Sequence, residues 1–314
     1  MLNIVVTCTK KKSVMPDAHM CLQDVPGRGL SALVSSWIKR LKGFKGQTIR
    51  ALDLYQGDHW QVAKSLVGIN NPFGKSRLWV CSAGYGLIPA ECLIAPYSAT
   101  FSTGHPDSVP ERLEGGNKDL VQWWKDVAKW SGPDPRKPRT IAEIALSFPN
   151  SRILVAASNS YLQTMLEDLE IARKTLVRED QLVLFSGTGR VPDDLSDNLV
   201  SSDARLQSFF GGALMSLNVR TLGWAIDNSQ ETGLSPERIR KSLSKKLSEV
   251  TPYERVNRTQ LTDIEVSEFI ERQHRRGHPL VATSLLKLLR STGFACEQKR
   301  FRKLLFQTME AING

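Results

Sequence analysis

The chain has 314 residues, 41% of them apolar and 24% charged, with 42 basic and 32 acidic side chains and a net charge of +10. That balance supports a packed core and excludes a disordered or collagen-like chain. No apolar run approaches the ~18 residues of a membrane span, and MLNIVV at the N-terminus lacks the features of a signal peptide, so a cytoplasmic protein with no membrane partner is expected.

Residues 2–7 form a short continuous apolar run, the pattern of a strand buried on both faces. Helical spacing follows over 29–41, a strand pattern over 48–54, a helix over 59–67 and a third strand over 77–82. Residues 119–130 read as a helix carrying Trp123, Trp124 and Trp130, and the proline-rich stretch 132–138 breaks the chain. A helix over 140–148, a strand over 152–157, a helix over 161–169 and a strand over 181–186 complete the alternation. Alternating elements predict an α/β fold: a parallel four- to five-stranded sheet flanked by helices, spanning residues 1–225. Ligands in such folds bind at the carboxyl ends of the strands.

Residues 234–314 carry a net +7, whereas the preceding 233 carry only +3. A basic helical, helix-turn-helix-like module is therefore expected at 234–314. Within it, Ser235 and Pro236 open one helix, and 281–289, a turn at 291–293 and 295–312 form the helix pair. Gln298, Lys299, Arg300, Arg302 and Lys303 near the start of the last helix suit phosphates and base edges. An ordinary helical hairpin with a solvated basic face has the same pattern.

Three loops carry candidate chemistry. The first, TCTKKKS at 7–13, offers Cys8, Lys11 and Ser13 toward a substrate and Lys10 and Lys12 toward phosphate, with His19 downstream. It lacks the glycine spacing of a Walker A loop. The second places Asp53, Tyr55, His59 and Trp60 together. The third, SAGYGLIPAE at 82–91, continues to Tyr97, Phe101 and Asp107. Its glycines permit close backbone approach, and Tyr85, Tyr97 and Phe101 are candidates to stack on a planar base. Glu91, Asp53 and Asp107 are the candidate catalytic carboxylates; Ser82 and Asn159 join the candidate substrate set. Five scattered cysteines, with no C-x-x-C pair, imply reduced thiols and no structural metal. No cofactor is implied.

The strand and loop VVTCTKKK with His19 downstream resembles the P-C-S-x-x-K-P-Y…S…H segment in the central domain of archaeosine synthase. WVCSAGYGLIPAECLIAPYSATF resembles the later T-S-P-L-G-L-V-P-R-E-L-E segment of that domain, and YQGDHW resembles the Y-x-G-x-x-W segment of small bacterial proteins with an S-A-x-Y-G-L motif. The resemblance covers roughly residues 1–190 and implies the uracil-DNA-glycosylase-like fold. Thr7 stands where the synthase has proline, Ser13-Val14 replace Pro-Tyr, and the G-x-D-P-Y motif of uracil glycosylases is absent. Ser186-Gly187-Thr188-Gly189-Arg190 stands where those glycosylases have H-P-S-P, with Arg190 as a candidate phosphate contact.

The expected function is a DNA glycosylase acting on double-stranded DNA with a flipped modified base. It resembles antiphage glycosylases that act on glucosylated hydroxymethylcytosine in viral DNA. No obligate protein partner is implied. Two alternatives stay open: a base-exchange enzyme on tRNA or DNA, as the synthase resemblance implies, and a non-catalytic DNA-binding regulator.

Overall fold

A computed structural model describes residues 1–187, 191–250 and 257–313. The chain divides into two compact units, Met1–Thr251 and Pro252–Gly314. In the first unit the strands are β1 (Leu2–Thr7), β2 (Ile49–Arg50), β3 (Ser76–Ser82), β4 (Gly86–Pro89), β5 (Leu93–Ile94), β6 (Arg152–Ala156), β7 (Leu182–Ser186) and β8 (Leu199–Ser201).

Six of these form one sheet in the order β4-β3-β1-β6-β7-β8, one strand more than the apolar runs suggested. The pairs of β1 with β3 and β6, of β6 with β7 and of β7 with β8 are parallel; β4 returns antiparallel along β3. β6 and β7 are buried along their whole length because helices cover both faces. The one polar residue inside β1, Asn3, is satisfied: its amide donates to Ser151 Oγ at 2.9 Å and accepts from Trp79 Nε1 at 2.9 Å. Trp37, Trp60, Trp123 and Trp124 fill the layers between sheet and helices.

Residues 48–54 do not form the expected strand of the main sheet. Ile49–Arg50 pair antiparallel with Leu93–Ile94 in a separate two-stranded ribbon, and Ala51–Leu54 turn helical. Backbone bonds from Ala51 N to Cys92 O and from Leu52 N to Ala90 O dock this helical turn on the residues that follow β4. Local apolarity was the same either way; the partner decided the conformation.

The helix Pro236–Ser248 belongs to the first unit. Ile239 and Leu243 join its core, and Arg240 donates to the carbonyls of Asp197 and Leu199 around β8. The structural division therefore falls later than the rise in positive charge at 234. The second unit holds the helices Asp263–Arg275, Ala282–Ser291 and Gln298–Asn313 and a short parallel pair, β9 (Thr259–Gln260) and β10 (Phe294–Ala295). Val266, Phe269, Ile270, Leu285, Leu289 and Phe301 centre its separate core. Ala295, expected to open the last helix, lies in β10, and the helix starts at Gln298 instead. Among the described residues no helix is long and apolar enough to cross a membrane.

Candidate functional site

The strand order reverses about β1. The chain passes from β1 to β3 on one side, then crosses to β6 on the other, so a crevice is expected beyond the carboxyl ends of β1 and β6. The loop after β1 enters that region with a fixed backbone. Cys8 N donates to Cys81 O, Gln56 N to Lys11 O and Ser13 N to Leu54 O, and Lys12 bridges Tyr55.

Tyr55, Tyr97 and Ser82 lie beneath this loop as a buried chain of hydroxyls. Tyr55 Oη and Tyr97 Oη are 2.9 Å apart, and Ser82 Oγ is 2.6 Å from Tyr97 Oη. Ser82 Oγ also accepts from the backbone of Gly84 and Tyr85, which fixes the turn between β3 and β4. Trp37 and Trp123 donate to the carbonyls of Gly84 and Ala83, and Arg139 donates to those of Tyr85 and Leu87. Gly84 is required by close approach, since a Cβ there would stand 2.6 Å from the Tyr97 ring. Gly86 adopts φ +70°, which favours glycine. Burial pushes the Tyr55, Tyr97 and Tyr161 hydroxyls well above the usual phenol range, so all three are neutral.

The rings are not the stacking platform expected from sequence. Tyr85, Tyr97 and Phe101 are at most 2% exposed. Tyr85 packs edge-on against Tyr97, Phe101 packs edge-on against Tyr161, and Tyr85 Oη accepts from Ala95 N. They form the floor of the site, with no free face for a base.

Above that floor sits the Lys12 amine, 4.8 Å from the Tyr97 ring centre and 5.7 Å from that of Tyr55. Its amine makes a long hydrogen bond, 3.4 Å, to Thr9 O. Burial lowers its pKa, opposed by Cys8, Asp107 and Cys21. Cys8 Sγ lies 3.3 Å from Tyr161 Oη, a residue that sequence reasoning placed only in a helix. The missed signal was its position in the first helical turn after β6, at the reversal of strand order.

Asp107 is the buried carboxylate of this group, 5% exposed. The segment carrying it is sewn down by Thr100 N to Asp107 O and Val109 N to Thr100 O. Gln23 N donates to Asp107 Oδ1 at 2.9 Å, and Asp107 N donates to His105 Nδ1 at 3.0 Å. His105 therefore accepts at Nδ1 as a neutral ring, and burial lowers its pKa in keeping with that.

The structure places Glu91 and Asp53 elsewhere. Because β4 runs back along β3, Ala90 N bonds Leu78 O, and Glu91 lies level with the amino-terminal half of β3. Arg50 joins Glu91 at 3.3 Å and Asp53 at 2.7 Å, and Lys64 adds a contact to Asp53 at 3.5 Å, all on exposed side chains. Arg50 holds the Asp53 carboxyl below the usual range. Both acids belong to a surface ion cluster. Lys10, Lys11, Ser13 and Asn159 are exposed around the site, and exposed His19 stacks on Phe44. Arg190 lies outside the described residues.

In the second unit the last helix exposes Gln298, Lys299, Arg302 and Lys303, with Phe306 beside them at 65% exposure. Arg300 differs: its guanidinium binds Asp263 at 2.5 Å and ties the last helix to the first. Arg258, Lys287, Arg290 and Gln298 line an open hollow of about 410 Å³. Three cations and no carboxylate line this surface, which suits phosphate oxygens.

Comparison with known protein families, curated proteins and solved structures finds no match.

Proposed function

We propose that the chain is a DNA glycosylase of the uracil-DNA-glycosylase-like type, hydrolysing the N-glycosidic bond of a modified base in duplex DNA. The observation that carries this reading is the buried carboxylate Asp107, whose charge acts on the Lys12 amine that lies over the Tyr97 and Tyr55 rings beyond the carboxyl end of β1, at the reversal of strand order. Glycosidic cleavage builds positive charge on the sugar as the base departs. A fixed anion balances that charge and orients the attacking water, and the Asp107 carboxylate is held for this by the Gln23 amide. Its burial, against the exposed ion pairs of Glu91 and Asp53, supports Asp107 as the catalytic carboxylate. Lys12, Cys8 and the exposed loop residues contact the extruded nucleotide, and the second unit's basic helix holds the duplex.

The favoured substrate is glucosylated hydroxymethylcytosine in phage DNA, with antiviral defence as the role. Incubation with unmodified, hydroxymethylated and glucosylated DNA tests this by scoring alkali-labile abasic sites. Release of a free base from the glucosylated DNA alone is expected. Incorporation of labelled free base identifies an exchange enzyme instead, and binding of a defined site without release identifies a regulator.

A further inference from the structure

Three consecutive lysines follow β1, and they are not equivalent. Lys10 and Lys11 are exposed, whereas the Lys12 side chain turns inward over Tyr97 and Tyr55. Its backbone is fixed by the bridge to Tyr55 and the flanking bonds of Lys11 O and Ser13 N. An ammonium carries three donors, and this one has a single long contact to Thr9 O and no ion pair within 4 Å among the described residues. The aromatic faces favour the charged form, but burial acts more strongly in the opposite sense, so the free amine is more accessible than on an ordinary lysine.

We infer that Lys12 is an amine nucleophile that captures the abasic sugar as an imine and cleaves the DNA strand beside it. This rests on the glycosylase reading of the same site. In the ring-opened abasic sugar, the neutral Lys12 Nζ adds to C1′ of the aldehyde, and the carbinolamine loses water to give the imine. The imine acidifies C2′–H. Asp107 takes that proton, the electron pair forms the C2′–C3′ double bond, and the C3′–O bond breaks with the phosphate leaving as its anion. Water then adds back to the imine carbon, which frees the lysine and an unsaturated aldehyde on the DNA end. The sequence needs no oxidant, reductant or metal.

The experiment uses the full chain and a duplex oligonucleotide with one preformed abasic site, in the presence of sodium borohydride. The reductant converts the imine to a stable secondary amine, and the covalent protein–DNA species is read by denaturing electrophoresis and peptide mass mapping. A trapped adduct on Lys12 is expected, and it should be lost in Lys12→Arg, with thermal melting reporting that the variant folds. If Lys12→Arg does not fold, mapping of the wild-type adduct still decides. Absence of an adduct, or its location on Lys10, Lys11 or another amine, overturns the inference. Base release from glucosylated DNA is scored in parallel. Release without an adduct removes the nucleophile and leaves the glycosylase, whereas an adduct without release from any DNA removes the glycosylase reading alone.

Discussion

His59 lies in the first turn of the helix Asp58–Ser65, with its ring hydrogen-bonded to the Thr7 backbone at the end of β1. Burial pushes its pKa from 6.5 down to about 4. The unfolded chain therefore binds more protons than the folded one between those values. Stability is full above pH 6.5 and falls as the pH drops toward 4, by up to about 3 kcal/mol. Denaturant unfolding across that range should show the fall in wild type and a flatter profile in His59→Phe. At this scale the sequence was a poor guide to roles. Glu91 and Asp107 both lie past the same strand, and only the antiparallel return of β4 separates an exposed partner of Arg50 from a buried acid. Tyr85 and Tyr97 lie in the turn region the sequence points to, but residue type does not reveal that their faces are already covered.

Gly84→Ala should destabilise the first unit by about 1–3 kcal/mol, because the added methyl meets the Tyr97 ring inside a packed core. A lowered melting temperature checks this, and an unchanged one would mean the turn relaxes freely. On the last helix, replacing Lys299, Arg302 and Lys303 with Ala should weaken binding to any duplex and lower the slope of log K against log salt by about 3. Their side chains are exposed, so the melting temperature should hold. Arg300→Ala should instead loosen the helix pair, by under about 1 kcal/mol for so exposed a contact. The main strands were legible as elements because residues buried on both faces must be continuously apolar, as in RILVA and LVLFS. Residues 48–54 and β10 were not, since short segments take their conformation from distant partners.

The alternation of strands and helices conveyed the α/β class, but the charge profile blurred the boundary between units. The helix Pro236–Ser248 is basic on its outside and buries Ile239 and Leu243 in the first unit, so a cut at 234 would strip that core. Removal of residues 252–314 should leave the first unit folded and reduce both duplex affinity and its salt dependence; filter binding across a salt series checks this, and an unchanged slope would place the phosphate contacts in the first unit. The role proposed for Asp107 is to serve glycosidic cleavage. Its most direct test is single-turnover release of free base from glucosylated hydroxymethylcytosine DNA by wild type and by Asp107→Asn, which keeps size while removing the charge. The variant should bind the DNA yet release base at least about 10²-fold more slowly. Release at the wild-type rate by Asp107→Asn, or none from any modified DNA by wild type, would contradict it.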